Sequence, residues 1–202
     1  MNEDALRELL AAVRDGSVGP EDAVARIRRL PFEDLGFATI DTHRAIRCGF
    51  PEVIFCQGKT PEQVAAITER LLASEAEVLG TRADPPHFEA VKAVHPDAEY
   101  HPTARIIVCN AKEKPAPPGE VLIICAGTSD IPVAEEARIT ARVLGNRVHQ
   151  LYDVGVAGIH RLLQRAERVQ KAGVLIVAAG MEGALASVVG GLTSRPVIAV
   201  PT

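Results

Sequence analysis

The sequence has 202 residues, of which 47% are hydrophobic and 24% are charged, and its formal net charge is -4. This composition is typical of a globular protein of one or two domains and excludes a disordered or fibrous chain. The negative net charge argues against the basic stripe of a nucleic-acid-binding protein. Because only 3% of the residues are aromatic and none is tryptophan, stacking platforms for bases are not expected either.

The apolar stretches of the sequence are short. The longest, Val121–Gly127 and Gly173–Met181, fall well below the roughly 18 residues that a membrane-spanning helix needs. The first residues, Met1–Asp4, include acids where a secretory leader needs basic residues. We therefore expect no membrane association and a cytoplasmic location.

The chain begins with a helical segment. The stretch Asp4–Leu30 predicts two short helices, and the second begins at Pro20, because proline is favoured at the first helical position and acids follow it. A small α/β lobe follows between Phe37 and Asn110, with short strands and helices in alternation. Its predicted elements are the strands Val53–Cys56 and Arg105–Cys109, a helix capped by Thr60 and Gln63, and a helix that begins at Asp84.

The stretch Lys112–Gly119 is charged and rich in proline, and it has nothing to bury, so it predicts a linker. We therefore predict two domains, residues 1–118 with the helices and the lobe, and residues 119–202.

In the second domain, short apolar strands alternate regularly with longer helices. The predicted strands are Val121–Cys125, Val148–Tyr152, Val174–Val177 and Val197–Val200, and the predicted helices lie near Pro132–Leu144, Ile159–Lys171 and Gly183–Leu192. This alternation predicts βαβ units and a parallel sheet that is buried on both faces. The fold class is therefore three-layer, doubly wound α/β.

Cysteine and histidine spacing indicates no metal site. The four cysteines, Cys48, Cys56, Cys109 and Cys125, form no C-x-x-C pair, and the six histidines show no zinc spacing. Cys109 and Cys125 lie inside apolar runs, so we expect buried structural thiols. Cys48 follows Arg47, a basic neighbour of the kind that activates thiols, but a single thiol is weak evidence of function.

In a doubly wound sheet, ligands bind beyond the carboxyl ends of the strands, so the junctions that follow the strands are the candidate sites. The first junction, Gly127-Thr128-Ser129-Asp130, combines a glycine turn with polar residues before a helix. Amide groups at a helix start form an anion site, which predicts a bound phosphate. The alternative is that these residues only cap the helix.

The second junction places His160 and Arg161 near the start of a helix. An imidazole moves protons near neutral pH, and a guanidinium pairs with phosphate or carboxylate. The third junction, Gly180-Met181-Glu182-Gly183, sets a carboxylate between glycines that leave room for a substrate, so Glu182 is a candidate general base. The alternatives are a structural histidine in the second junction and a helix-dipole acid in the third.

These junction motifs, with Arg195–Pro201 after them, resemble the aminoimidazole ribonucleotide carboxylases of the PurE type over Val121–Thr202. Two further motifs resemble the LarB family, the carboxylase/hydrolases of nickel-pincer nucleotide biosynthesis, which carry a PurE-like domain behind a region of their own. These motifs are Gly49–Thr60, preceded by Asp41-Thr42-His43-Arg44, and Gly180–Leu185.

The resemblance implies carboxylation of nicotinic acid adenine dinucleotide at C5 of its pyridinium ring, with CO2 or bicarbonate and with hydrolysis of the phosphoanhydride. The products would be pyridinium-3,5-biscarboxylic acid mononucleotide and AMP. In the family a cysteine thiolate adds at C4 and turns the ring into an enamine.

The resemblance also assigns roles to residues of this sequence. Glu182 would remove the C5 proton, and Ser129 and Asp130 would hold phosphate or ribose beside His160 or Arg161. Arg44 and Lys59 would neutralise substrate carboxylate or phosphate, or would be solvated surface residues. A tightly bound cofactor is not expected, Mg²⁺ would bind the phosphoanhydride, and PurE-like domains imply a homo-oligomer such as an octamer.

The family continues beyond the Val-Ile-Ala-Val-Pro-Thr strand to its nucleophilic cysteine, whereas the printed sequence stops at Thr202. We therefore expect a fragment that lacks the nucleophile. The alternatives are the purine-pathway carboxylase or mutase, and a nucleotide-binding module without turnover. The first of these expects Ser-Ala-His-Arg-Thr-Pro where this sequence has Gly158-Ile159-His160-Arg161-Leu162.

Overall fold

Helices precede the first strands of the chain in the computed structural model, which describes residues 3–28, 32–41, 44–73, 77–112 and 114–202. Thr42, His43 and Glu113, which belong to the motifs above, lie outside these residues. The predicted helical segment is confirmed as α1 (Glu3–Arg14) and α2 (Pro20–Arg28), the latter with Pro20 as its first residue. No helix within the described ranges is long and apolar enough to cross a membrane.

The chain divides into an N-terminal unit, Met1–Tyr100 with Ile107–Ala111, and a C-terminal unit, His101–Ile106 with Lys112–Thr202. The strands of the first part of the chain are β1 (Phe32–Asp34), β2 (Thr39–Asp41), β3 (Val53–Phe55), β4 (Val78–Thr81), β5 (Glu99–His101) and β6 (Ile106–Cys109). Its other helices are α3 (Arg44–Cys48), α4 (Pro61–Leu72) and α5 (Pro85–Val94). Strands β1 and β2 pair antiparallel.

A mixed sheet in the order β3-β4-β6-β5 organises the lobe. Strands β3 and β4 are parallel, with α4 between them in the chain, and β4 and β6 are antiparallel. The predicted cap of α4 is confirmed, since the Thr60 hydroxyl accepts from the Gln63 amide and the Gln63 side chain accepts from the Thr60 amide. Apolar residues from β3, β4, α4 and α5 form the core, among them Ile54, Val64 and Val91.

The C-terminal unit has the predicted alternation of strands and helices. Its elements are β7 (Val121–Cys125), α6 (Ile131–Val143), β8 (Val148–Leu151), α7 (Ile159–Leu163), α8 (Ala166–Lys171), β9 (Val174–Ala179), α9 (Ala184–Leu192) and β10 (Val197–Pro201). The single helix predicted over Ile159–Lys171 is wrong, because the chain turns at Gln164 and Arg165. There the Arg165 amide bonds to the Leu162 carbonyl, three residues back, and the α-helical ladder is interrupted.

The four strands of this unit form a parallel sheet in the order β10-β9-β7-β8. Helix α6 packs on one face around Ala134, and α7 to α9 pack on the other around Leu162, Val169 and Leu185. These three layers confirm the doubly wound α/β fold. Burial on both faces holds for the central strands but not for the edge strand β10, where Ile198 is 51% exposed.

Candidate active site at the carboxyl edge of the parallel sheet

Strand β8, which follows β7 in the chain, lies on one side of β7 in the sheet, and β9, the next strand in the chain, lies on its other side. Doubly wound folds bind ligands at such a reversal of strand order, beyond the carboxyl ends of the strands, and we call this region the crevice. The Ala126 amide bonds to the Ala178 carbonyl at 3.1 Å, so the loops that follow β7 and β9 lie side by side. The first and third predicted junctions therefore meet at this edge.

Asp130 links the loop after β7 to the end of β10. It is only 6% exposed, and its two carboxylate oxygens each accept a hydrogen bond, one from the Gly127 amide at 2.8 Å and one from the Thr202 hydroxyl at 2.6 Å. Gly180 completes this contact, because a Cβ there would lie 3.3 Å from the Thr202 hydroxyl oxygen. Sequence reasoning missed Thr202, and its position directly after a strand was the one available signal.

Thr128 and Ser129 form a 3₁₀ turn between Gly127 and Asp130, immediately before α6. Both residues are exposed, and the Asp130 side chain does not cap α6. The amino end of this helix of 13 residues is consequently open at the crevice. Backbone amides in this arrangement, with hydroxyls beside them, suit an anion such as phosphate.

Glu182 stands in the turn between β9 and α9. The turn places Met181 and Gly183 in the left-handed region, with φ of 54° and 68°, and the Gly183 amide bonds to the Gly180 carbonyl. Met181 is completely exposed, and Glu182 is exposed beside it. Within the described ranges the Glu182 side chain makes no hydrogen bond and no ion pair. Its carboxylate is therefore free to meet a ligand.

The loop after β8 lies directly against the loop after β7. The Val154 amide bonds to the Cys125 carbonyl at 3.2 Å, and the Gly155 amide bonds to the Ala126 carbonyl at 2.8 Å. The approach is so close that a Cβ on Gly155 would lie 2.9 Å from the Ala126 carbonyl oxygen. The second junction is thus anchored to the first by its backbone, and Gly155 permits this close approach.

His160 and Arg161 occupy different environments at the start of α7. The His160 side chain is exposed and, within the described part of the chain, has no bonding partner. Arg161 pairs with Asp153 and lies across Gly158, where a Cβ would meet its Nε at 2.7 Å. No hydrogen bond or ion pair joins either residue to Asp130 or Glu182 in the described structure.

A polar cluster of Glu135, Arg138 and Tyr152 ties α6 to the end of β8. The Arg138 guanidinium donates to both Glu135 oxygens at 2.7 Å, and the Tyr152 hydroxyl donates to one of them at 2.6 Å. Burial alone raises the pKa of Glu135, but the hydrogen bonds from Arg138 and Tyr152 outweigh it and the pKa is lowered. Burial and the Glu135 bond both raise the pKa of Tyr152. The cluster therefore keeps an ionised carboxylate beside a neutral phenol.

Cys125 lies at the floor of the crevice as a buried thiol. Its Sγ donates to the Gly127 carbonyl at 3.5 Å, and burial is the main cause that raises its pKa. Cys56 and Cys109 are buried as well, and burial raises the pKa of each to about 11. Buried thiols with raised pKa values are inert, which confirms the structural interpretation of Cys109 and Cys125.

The other two candidate residues lie in the N-terminal unit. Arg44 begins α3 and stacks its guanidinium on the Phe50 ring at 5.3 Å from the ring centre, and its Nε is buried without a hydrogen-bond partner. The Lys59 Nζ donates to the Phe55 carbonyl at 2.8 Å. A part in substrate binding stays a prediction for both residues.

The fold and the crevice define a class of protein, a doubly wound α/β protein with a candidate ligand site at the topological switch point of its sheet. Comparison with known families narrows this class. The profile of the LarB/PurE-like N-terminal domain matches residues 32–112, and that of AIR carboxylase matches residues 120–202. The chain belongs to the LarB family, with a PurE-like carboxylase domain.

Two relatives come from Methanocaldococcus jannaschii. An uncharacterized protein is 34% identical over 206 residues, which cover 98% of this chain and 80% of that protein. An N5-carboxyaminoimidazole ribonucleotide mutase is 37% identical over 84 residues, which cover 40% of this chain and 51% of the mutase. The first relative thus extends the similarity through both units, whereas the mutase is similar to less than half of the chain.

Proposed function

We propose that this protein carboxylates C5 of the pyridinium ring of nicotinic acid adenine dinucleotide and hydrolyses the phosphoanhydride. The products are pyridinium-3,5-biscarboxylic acid mononucleotide and AMP, an intermediate of nickel-pincer cofactor synthesis and its by-product. The observation that carries the proposal is the exposed carboxylate of Glu182, unpaired among the described residues, at the same edge of the sheet as the start of α6, in a chain that matches the LarB/PurE-like N-terminal and AIR carboxylase domains.

The residues of the crevice divide the work of binding. The amides and hydroxyls of Thr128 and Ser129, at the start of α6, hold a phosphate. Asp130 joins the loop after β7 to the end of β10 through its two hydrogen bonds, and its carboxylate accepts a hydrogen bond from a ribose. Gly183, where a Cβ would meet no atom within 4 Å, and the outward Met181 leave space for the ring, while the backbones of Gly127 and Gly180 line the site. His160 and Arg161 lie at the neighbouring loop for proton transfer and charge neutralisation.

The chemistry requires no change of oxidation state. A nucleophile adds to C4 and turns the electron-poor ring into an enamine, whose C5 carbon attacks CO2 and forms the new C–C bond. Glu182 then takes the C5 proton as the nucleophile leaves C4 with its electron pair and aromaticity returns. Water attacks the phosphoanhydride and releases AMP.

The three buried cysteines of this sequence, Cys56, Cys109 and Cys125, are poor candidates for that nucleophile. Cys125, at the floor of the crevice, is completely buried and donates to the Gly127 carbonyl. Burial raises the pKa of Cys125, so the fraction of thiolate is small. We therefore assign to this chain substrate binding and proton removal, with the nucleophile supplied by a thiol other than these.

Three further parts of the proposal concern a metal ion, the charge of the substrate and the assembly of the protein. Mg²⁺ would bind the phosphoanhydride itself, since no group of three His, Cys, Asp or Glu side chains suited to a metal occurs among the described residues. Arg44 and Lys59 would neutralise substrate carboxylate or phosphate. We propose a homo-oligomer by analogy with PurE-like domains, and sedimentation equilibrium tests it.

The reaction is tested with nicotinic acid adenine dinucleotide, ¹³C-bicarbonate and Mg²⁺, with and without a small added thiol. We expect AMP and a nucleotide heavier by one labelled carboxylate, formed when the thiol is present. The variant Glu182→Gln should bind the dinucleotide and give no carboxylated product. The variant Glu136→Gln, on α6, is the matched control and should behave as the wild type. Labelled product from Glu182→Gln at the wild-type rate would exclude Glu182 as the base.

The mutase relative favours a second candidate, carboxylation or carboxylate transfer on aminoimidazole ribonucleotide. Calorimetric titration with the dinucleotide and with aminoimidazole ribonucleotide separates the two substrates. Tighter binding of the ribonucleotide would overturn our proposal. Tight dinucleotide binding without product at any thiol concentration would favour the third candidate, a nucleotide-binding module without turnover.

A further inference from the structure

Arg161, which the proposed function gives to substrate phosphate, is already engaged within its own loop. Its guanidinium forms an ion pair with Asp153, eight residues earlier in the chain. The same side chain lies flat across Gly158, with Nε and Nη2 2.7 and 2.8 Å from the place of a Cβ. In this position the guanidinium presents its charge to a carboxylate of the protein.

The partner of this pair is held firmly. Asp153 has φ of 56°, a left-handed conformation that is uncommon for residues other than glycine and in which asparagine and aspartate are the best tolerated. The next two residues bond to the loop after β7 through the Val154 and Gly155 amides. Asp153 is thereby fixed in position, while Arg161 reaches it through a long side chain.

The ion pair between Arg161 and Asp153 is easily exchanged for a pair between Arg161 and another anion. The Arg161 and Asp153 side chains are 41% and 51% exposed, so water and salt screen their attraction. The diphosphate bridge of a dinucleotide carries two negative charges against the single charge of a carboxylate, and it accepts a bidentate guanidinium equally well. An anion that enters the crevice therefore competes with Asp153 for the same donors.

We propose that Asp153 is an intramolecular competitor that lowers the affinity of Arg161 for the phosphates of the substrate. Binding exchanges the Arg161–Asp153 pair for an Arg161–phosphate pair, and the loop backbone stays in place. The inference rests on the proposed function for the identity of the ligand, a dinucleotide with a phosphoanhydride. The pair and its exposure do not depend on the chemistry at the ring.

Two variants release Arg161 in different ways. Asp153→Asn removes the competing charge and suits the left-handed backbone. Gly158→Ala puts a methyl group where the guanidinium lies and leaves the net charge unchanged; with φ of -121° the residue can carry a Cβ. Each should tighten binding of nicotinic acid adenine dinucleotide about two- to fivefold at low salt, or about 0.4–1 kcal/mol. The gain should shrink as salt is added.

Three controls accompany these variants in calorimetric titrations of the full chain. Glu167→Gln breaks the exposed Glu167–Lys171 pair on α8 and changes the net charge as Asp153→Asn does, so it should leave affinity unchanged. Arg161→Gln should weaken binding about tenfold, since hydrogen bonds to charged groups are strong. In the Arg161→Gln background, Asp153→Asn should have no effect.

The outcomes separate the inference from the function. Weaker binding by Asp153→Asn, with Arg161→Gln also weaker, would show that Asp153 positions Arg161 and would overturn the competition. Unchanged binding by Asp153→Asn would overturn it as well. Unchanged binding by Arg161→Gln would overturn it too, while leaving the proposed reaction intact. Inorganic pyrophosphate is the second probe: if it responds to all variants as expected and the dinucleotide does not bind, the competition stands and the proposed substrate is wrong. If neither probe binds, both fail.

Discussion

The contact between Gly155 and Ala126 gives a sharp test of how the crevice is assembled. In Gly155→Ala the new Cβ would lie 2.9 Å from the Ala126 carbonyl oxygen and 3.5 Å from its carbonyl carbon. The backbone angles of Gly155, φ of -58° and ψ of 158°, suit alanine, so the whole penalty is steric. Both neighbours of the Cβ are backbone atoms, which cannot turn away as a side chain does.

The loops must therefore separate, which weakens the 2.8 Å bond from the Gly155 amide and the 3.2 Å bond from the Val154 amide. Overpacking costs about 1–3 kcal/mol and each of the two weakened hydrogen bonds about 1 kcal/mol, so we expect a loss of about 3–5 kcal/mol in the free energy of unfolding. Urea unfolding followed by circular dichroism measures it, and dinucleotide affinity should fall as well.

The matched control is Gly190→Ala in α9. No atom lies within 4 Å of the place of its Cβ, and glycine is a poor helix former, so this change should be neutral or should stabilise by up to about 1 kcal/mol. A Gly155→Ala protein as stable as the wild type would refute the close contact of the two loops, and with it the junction geometry on which the candidate site depends.

Further predictions concern buried polar groups. Thr202→Val leaves the buried Asp130 carboxylate one donor short and should cost about 1–3 kcal/mol of unfolding free energy, whereas Thr202→Ser should retain stability. Tyr152→Phe should cost about 1 kcal/mol, because Glu135 keeps its Arg138 bonds; thermal unfolding measures both changes. Iodoacetamide at pH 8 should label Cys48 and spare the three buried cysteines, as intact mass will show. Two of those have pKa values near 11 against 9.0 for a free thiol, so the folded state keeps protons that the unfolded state releases. Stability should therefore fall as the pH rises from about 9 to 11, and Cys-to-Ala variants should flatten this slope in urea titrations.

Local chemistry explains which elements the sequence predicts. Strand β7 matches its prediction at both ends because a run of β-branched and apolar residues is bounded by a proline-rich linker and a glycine turn. The cap of α4 is equally local, since Thr60 and Gln63 satisfy each other's amides. Strand β4 was missed because it contains Gly80, a residue that favours turns, and its stability comes from pairing with β3 on one side and β6 on the other.

The candidate site likewise combines features that the sequence predicts with features that it does not. The three junctions were predictable because the carboxyl ends of parallel strands share one edge. The bonds that organise them were not, because they depend on strand order. The bond from Thr202 to Asp130 spans 72 residues, and it forms only because β10 lies next to β9 in the sheet. The Arg161–Asp153 pair depends on a left-handed turn that no local pattern marks.

Three acids at this edge show why residue type alone cannot assign a role. Asp130 is buried and accepts two short hydrogen bonds, so it is fixed and serves to hold loops together. Asp153 is paired with a guanidinium, so its charge acts on that side chain before it acts on a ligand. Glu182 is exposed and, in the described structure, unpaired, so its carboxylate alone of the three can take up a proton without breaking an existing bond. On these grounds we propose Glu182 as the general base, and the removal of its charge should affect turnover before it affects stability.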